Sequence, residues 1–121
     1  MKPESLREQV SRARKRGLNP DLVYLVPTAQ NPTGITMPEQ RKRDIYKACC
    51  DLDLIVIEDD AYYYLHFENQ GDVDSVGNPY DARRMPGVNG LPRSLYSFDT
   101  ECKVLRIDSL VYIWQRSFYF I

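Results

Sequence analysis

The sequence predicts an α/β protein whose strands form a parallel sheet. Two short apolar runs, residues 22–26 and 54–57, lie on either side of an amphipathic helical segment. A strand, a helix and a strand in about this length form a βαβ crossover. Because both runs are continuously apolar rather than alternating, they suit strands that are buried on both faces. We therefore expect a parallel sheet with helices on both faces.

A further helix is expected before the first strand. Ser5 to Glu8 has the S-x-x-E form of a capping box, and apolar residues recur at helical spacing from Leu6. Gly17 can end this helix in the left-handed conformation. Its outer face is basic, with Arg12, Arg14, Lys15 and Arg16. Since no aromatic residues or reading motif accompany these cations, a solvated face is favoured over nucleic-acid binding.

The crossover helix is predicted to begin at a second capping box, Thr36 to Glu39, which carries proline in its first turn. Its apolar face comprises Ile45, Ala48, Cys49 and Leu52. The charged residues 41–44 are expected mostly to face water. Residues 68–93 predict a functional or poorly ordered loop. Ser94–Phe98 and Lys103–Ile107 are two further strand candidates.

Composition excludes several classes of protein. A chain of 121 residues with a net charge of −1 suits one domain without the bias of a nucleic-acid binder. The first residues lack the apolar run of a secretory signal, and residues 110–121 are too short for the ~20 residues of a membrane span. Three cysteines without C-x-x-C spacing and the single histidine, His66, do not suggest a metal site. We expect a cytoplasmic protein with reduced, buried thiols.

Two polar clusters follow the predicted strands, Gln30 to Gly34 and Glu58 to Tyr62. In open α/β sheets, ligands bind outside the carboxyl ends of the strands. Each cluster alone favours a structural turn or a helix cap. Together they predict one crevice that both clusters line.

The order and spacing of these features resemble the fold type I pyridoxal-phosphate-dependent aminotransferases. An Asn-Pro-Thr-Gly turn, a helix, an apolar strand and Asp-x-x-Tyr follow one another within Tyr24 to Phe67. The amino-acid sequence of these segments is most similar to the aromatic, α-aminoadipate and kynurenine branch. The resemblance implies that residues 5–109 form part of the large, cofactor-binding domain. It also implies amino acid and 2-oxo acid substrates and a homodimer.

The resemblance assigns roles to four residues. Asn31 and Tyr62 match the residues that bind the phenolic oxygen of the cofactor, and Ser109 matches a serine that binds its phosphate. Asp59 matches the aspartate beside the pyridine nitrogen, where an anion keeps that nitrogen protonated. The neighbouring residues Asp60, Tyr63 and Tyr64 are expected to lie outside the cofactor contacts.

The sequence departs from the family after Ser109. The lysine that forms an imine with the cofactor is replaced by Tyr112, which cannot supply that amine. Tyr119 stands where the family has a phosphate-binding arginine. We therefore expect a divergent tail over residues 110–121, a chain without aminotransferase activity by itself, and a truncated product or a misread exon boundary as the origin of the tail.

Three alternatives remain open. A fold type I lyase, such as a cysteine-sulfur lyase or an aminocyclopropane-carboxylate synthase, would share the same cofactor contacts. A ligand-sensing domain without catalysis would need a DNA-reading helix, and none precedes Ser5. A degenerate remnant without ligand is favoured by the lost lysine. An isolated piece of the sheet would expose edges and apolar faces, which predicts marginal stability.

Overall fold

The structure, a computed structural model, describes residues 1–64 and 91–109. Two helices, α1 (Pro3–Lys15) and α2 (Glu39–Leu52), accompany strands β1 (Leu22–Leu25), β2 (Ile55–Asp59) and β3 (Val104–Ile107) and one 3-10 turn (Tyr96–Phe98). The strands are parallel in the order β1-β2-β3. The predicted α/β class is confirmed. The predictions for His66, Tyr112, Tyr119 and the rest of 65–90 and 110–121 lie outside the described residues.

The sheet has one covered face and one exposed face. Strand residues alternate in burial, and the inward set includes Val56 of β2 and Val104 of β3. These side chains join one core with both helices: Leu6, Val10, Leu25, Ile45, Ala48, Cys49, Leu54, Val56, Leu95 and Val104. We expected helices on both faces, and the described residues supply them on one. The expectation that the first strand is buried on both faces is wrong, because Leu22 and Tyr24 are exposed.

Helix α1 begins earlier than its sequence suggested. Pro3 lies in the first turn and Lys2 is the N-cap, without a side-chain cap. Proline suits this position because its missing N–H would have no partner inside the helix. The predicted capping box is therefore wrong, since Ser5 lies inside the helix. The predicted stop is confirmed, because Gly17 has a φ of 78° and its N–H donates to the Arg14 carbonyl over 3.0 Å.

Helix α2 likewise begins without a capping box. Its N-cap is Pro38, and no side chain caps the helix. The Thr36 hydroxyl instead accepts the Ala29 N–H over 3.1 Å, so it stabilises the loop between β1 and α2. At the other end Asp53 adopts the left-handed conformation, with a φ of 56°. The chain thereby turns at once into β2.

The two helices are joined by polar contacts as well as by the core. Arg7 of α1 forms an ion pair with Asp51 of α2 over 2.5 Å. Arg14 donates to the Leu52 carbonyl over 2.7 Å, at the end of α2 where carbonyls lack partners in the helix. Part of the basic face of α1 therefore serves helix packing.

The turn before β3 is organised by one carboxylate. Asp99 accepts the backbone N–H groups of Val104 over 2.9 Å and of Lys103 over 3.2 Å. It also accepts the hydroxyl of Tyr46, on α2, over 2.8 Å. Burial alone would raise the pKa of Asp99, but these hydrogen bonds outweigh it and lower the pKa. The start of β3 is thus fixed to α2.

The cysteines differ in their environment. Cys49 is buried in the core, and burial raises the pKa of its thiol to about 11. Cys102 is exposed, so the expectation of buried thiols is wrong for this residue. Over residues 1–64 and 91–109, no cluster of three potential metal-ligating side chains occurs.

Within the same described ranges, no helix is both long enough and apolar enough to cross a membrane.

Candidate functional site

The four residues singled out in the sequence all lie at or after the carboxyl ends of strands. Asn31 lies in the loop after β1, and Asp59 is the last residue of β2. Tyr62 lies in the turn after β2, and Ser109 follows β3. Because the three strands are parallel neighbours, these positions share one edge of the sheet. The two predicted polar clusters therefore follow neighbouring strands at the same edge of the sheet.

The loop that carries Asn31 is closed by backbone hydrogen bonds. The Gly34 N–H donates to the Gln30 carbonyl over 2.6 Å, and the Gln30 N–H donates to Ile35 over 3.0 Å. Gly34 has a φ of 69°, a conformation that residues with a Cβ rarely adopt. Asn31 is exposed at the tip of this loop. The turn thus holds Asn31 at an exposed position in the loop that follows β1.

Asp59 is held by a residue that sequence reasoning missed. The Tyr24 hydroxyl, on β1, donates a short hydrogen bond to the Asp59 carboxylate. This hydrogen bond is the main reason that the pKa of Tyr24 is raised. Tyr24 lies opposite Ile57 in the register of β1 and β2. Because strand residues two apart share a face, Asp59 lies on the same face of the sheet as Ile57 and Tyr24. A signal for the contact was therefore present in the alternation of β1 and β2.

The turn after β2 packs against β3. The Tyr63 N–H donates to the Asp60 carbonyl over 2.9 Å, which closes the turn. The Arg106 guanidinium lies 4.0 Å from the centre of the Tyr63 ring, a cation–π contact. Asp108 orients this guanidinium through two hydrogen bonds, over 2.9 and 2.6 Å. These contacts fix the turn in which Tyr62 lies.

On the covered face, a buried carboxylate shapes the segment before β3. Glu58 accepts the N–H of Leu95 over 2.8 Å and the N–H of Tyr96 over 3.0 Å. Because the Glu58 carboxylate accepts both N–H groups, the chain forms a 3-10 turn at Tyr96–Phe98. The predicted strand Ser94–Phe98 is therefore wrong. Sequence reasoning placed Glu58 in the polar cluster but did not identify this role.

Lys42 is buried beside this carboxylate. Its ammonium donates to the Arg93 carbonyl over 3.0 Å, and the side chain is wholly buried. The expectation that residues 41–44 mostly face water is therefore wrong at this position. Burial lowers the pKa of Lys42, while the charges of Asp60 and Glu58 oppose that shift. Helical spacing places Lys42 on the same face of α2 as Ile45 and Cys49, so a signal for its burial was present in the sequence.

Asp60 completes a buried charged cluster beneath the edge. The residue is almost wholly buried, and neither carboxylate oxygen has a hydrogen-bond partner among the described residues. Burial raises the pKa of Asp60, while the nearby Thr28 hydroxyl, which lies outside hydrogen-bond geometry, and the charges of Lys42 and Arg106 act against this. Strand alternation thus separates the roles of the two neighbours, because Asp59 faces the open side and Asp60 faces inward.

Comparison with known proteins relates the chain to aminotransferases. No family model matches the chain. It is 41% identical over 110 residues to an L-tyrosine:2-oxoglutarate aminotransferase of Tapinella panuoides, a match that covers 88% of this chain and 20% of that relative. The aminotransferase Aro8 of Candida albicans aligns with a TM-score of 0.68 and 33% identity, over 89% of this chain and 22% of that one.

A kynurenine aminotransferase of Pyrococcus horikoshii, solved in complex with PMP, also aligns with a TM-score of 0.68. Its identity is 30%, over 93% of this chain and 23% of the other. The chain therefore spans about a fifth of the length of the relatives that it matches. The three matches cover between 88% and 93% of this chain.

Proposed function

The chain belongs to the fold type I aminotransferases, and from this premise we propose that it forms part of the pyridoxal-phosphate site of an aromatic or α-aminoadipate type enzyme. The observation that supports the proposal is that Asn31, Asp59, Tyr62 and Ser109 lie at or after the carboxyl ends of three neighbouring parallel strands. In this proposal residues 5–109 are part of the large domain and residues 110–121 are a divergent tail.

The side chains at this edge suit the chemistry of the cofactor. A carboxylate, Asp59, can face a protonated pyridine nitrogen, and an amide and a phenol can donate to the phenolic oxygen. The hydroxyl of Ser109 can donate to the phosphate. When bound, the cofactor supplies an electron sink for the charge that forms when the substrate loses its α-proton.

This chain's own residues have three tasks in the proposal. Asp59 holds a proton on the pyridine nitrogen, and the hydrogen bond from Tyr24 fixes the orientation of its carboxylate. Asn31 and Tyr62 orient the ring through its phenolic oxygen. Arg106, through its contact with Tyr63, holds the turn that carries Tyr62 in place.

The chain by itself is proposed to bind the cofactor without a covalent link. Tyr112 stands where the family has its lysine, and a phenol cannot form an imine with an aldehyde. Transfer of an amino group between an amino acid and a 2-oxo acid is thus a proposal for the whole enzyme. The homodimeric state and the cytoplasmic location likewise stay predictions.

Binding of pyridoxamine 5′-phosphate to the purified chain, measured by calorimetry, tests the proposal. Asp59→Ala is expected to weaken binding about tenfold or more, since losing one charge-assisted contact of about 1.5–3 kcal/mol has at least that effect. Asp44→Ala removes an exposed aspartate on α2 that accepts a hydrogen bond only from Gln40 of the same helix, and it is the matched control, with unchanged affinity expected. Equal affinity in all three chains would contradict the role of Asp59. No binding at all would favour a remnant without ligand.

A further inference from the structure

Tyr24 contacts Asp59 from the neighbouring strand. It lies opposite Ile57 in the register, and Asp59 follows two residues later on the same face of β2. Two residues advance about 6.6 Å along a strand, so a side chain as long as tyrosine is needed to cover the distance. On its other side, Asp59 lies opposite Ile107 of β3, whose side chain has no hydrogen-bond donor. Of the two neighbouring strands, β1 therefore supplies the polar contact.

This contact occupies one of the two carboxylate oxygens. The Tyr24 hydroxyl donates to Oδ2 of Asp59. Within residues 1–64 and 91–109, no hydrogen bond is donated to Oδ1. Lys103, the cation just before β3, is bound to Asp53 instead. Since both oxygens of an ionised carboxylate are acceptors, Oδ1 is the oxygen that a ligand can use.

We propose that Tyr24 is a positioning residue, which occupies Oδ2 of Asp59 so that the carboxylate presents Oδ1 alone to a single ring N–H. The inference rests on the proposed cofactor site and deepens it, because it assigns a selectivity to the pair of residues. A carboxylate with both oxygens open suits forked donors such as a guanidinium. With one oxygen occupied, it suits a donor that offers one N–H, as a protonated pyridine ring does.

The position of Tyr24 in the sheet suits this task. Its backbone is fixed in β1, and its side chain has only two rotatable χ angles, so its hydroxyl approaches Asp59 at a small cost in conformational entropy. The hydrogen bond to Asp59 is also the largest cause that raises the pKa of Tyr24, so the phenol remains a donor at neutral pH. A carboxylate that is already held needs no further ordering when a ligand binds.

Calorimetry with two ligands separates this role from a general effect on the site. The ligands are pyridoxamine 5′-phosphate and its 1-deaza analogue, in which carbon replaces the ring nitrogen. The unmodified chain is expected to bind the first ligand about tenfold more tightly, or better. In Tyr24→Phe this preference should fall about three- to tenfold, because a carboxylate that is no longer held must be ordered on binding. The affinity for the analogue should stay unchanged.

Tyr96→Phe is the matched control, because Tyr96 is 61% exposed, Tyr24 is 55% exposed, and both variants lose only a hydroxyl. Both affinities of the control are expected to stay unchanged. Once Asp59→Ala is present, Tyr24→Phe should have no further effect, and an additional loss would overturn the inference. Circular dichroism verifies that Tyr24→Phe retains its helices; if it does not, Tyr24→Leu, which also lacks the hydroxyl, replaces it.

The outcomes separate this inference from the proposed function. A smaller preference in Tyr24→Phe, with the analogue bound as before, supports the inference. An unchanged or larger preference overturns it, while the cofactor site stands. Equal losses for both ligands also overturn it and show a general effect on the site. If the unmodified chain binds neither ligand, the proposed function and this inference fail together.

Discussion

Replacing Asp99 by asparagine should destabilise the chain, because one carboxylate holds the start of β3. Its Oδ2 accepts Val104 N–H, and its Oδ1 accepts Lys103 N–H and the Tyr46 hydroxyl. Asparagine keeps only one acceptor oxygen, so its NH₂ group faces a donor. The loss of one hydrogen bond to a charged group costs about 1.5–3 kcal/mol. We therefore expect the free energy of unfolding to fall by about 2–3 kcal/mol at neutral pH.

The pH dependence of this loss gives a second test. The pKa of Asp99 is lower in the folded chain than its ordinary value. A depressed pKa stabilises the fold above the ordinary pKa of aspartate, and this contribution is lost as the pH falls through the folded pKa. Urea unfolding should therefore show a smaller difference between wild type and Asp99→Asn in acid than at neutral pH.

Asp44→Asn is the matched control for Asp99→Asn. Asp44 is exposed on α2 and accepts one hydrogen bond from Gln40 over 2.9 Å. Its substitution should change stability by no more than about 0.5 kcal/mol. The reasoning fails if Asp99→Asn costs no more than this control, or if its cost is the same at both pH values.

Three other substitutions test separate parts of the fold. Glu58→Ala should lower the free energy of unfolding by about 2–4 kcal/mol, because it removes both acceptors of the 3-10 turn and leaves a cavity. It should also speed hydrogen exchange at the Leu95 amide, and unchanged exchange would refute the hydrogen bond between Leu95 and Glu58. Asp60→Asn should stabilise the chain by about 1–2 kcal/mol at neutral pH, since burial raises the pKa of Asp60 and thus disfavours its charge. The gain should vanish below the ordinary aspartate pKa, where the wild-type carboxyl is protonated in both states, and a loss at neutral pH would show that the charge is stabilising. Ala29→Gly should raise the free energy of unfolding by about 0.5–1 kcal/mol, because Ala29 has a φ of 45°, which strains a residue with a Cβ. The gain should appear as a higher urea midpoint, and a lowered midpoint would show that no backbone strain is relieved.

The strands and the crossover helix were predictable because their signals are local. Apolar runs bounded by turn residues identified β1 and β2, and helical spacing of Ile45, Ala48 and Cys49 identified α2. Gly17 was read correctly as a helix stop for the same reason. The predictions from the capping boxes were wrong because the N-caps are other residues, Lys2 and Pro38. Proline lies in the first turn of α1 and at the N-cap of α2. Short capping patterns thus gave weaker evidence than apolar spacing did.

The 3-10 turn could not be predicted because its cause is distant in sequence. Leu95 and Tyr96 donate to Glu58, a residue in another strand. Lys42 is buried because the Arg93 carbonyl meets its ammonium inside the fold. Propensity and periodicity carry no information about such partners, which exist only once the chain is folded.

The edge of the sheet was predicted from topology, whereas its internal order was not. Parallel strands place Asn31, Asp59 and Ser109 at one edge, and the structure has them there. The hydrogen bond from Tyr24 to Asp59 depends on side-chain orientation across two strands. Strand alternation explains which face Glu58 and Asp59 take, although the sequence analysis assigned both to one cluster. The roles of these residues toward a cofactor stay a proposal.

The most direct test of the proposed function is borohydride trapping of pyridoxal 5′-phosphate, followed by peptide mapping with mass spectrometry. The unmodified chain and Tyr112→Lys are treated in parallel, at one equivalent of cofactor. We predict a stoichiometric adduct at position 112 in the variant and only scattered traces on surface lysines in the unmodified chain. A stoichiometric adduct at a native lysine of the unmodified chain would contradict the claim that this chain lacks the covalent attachment point. The absence of an adduct in both chains would contradict the proposed cofactor site itself.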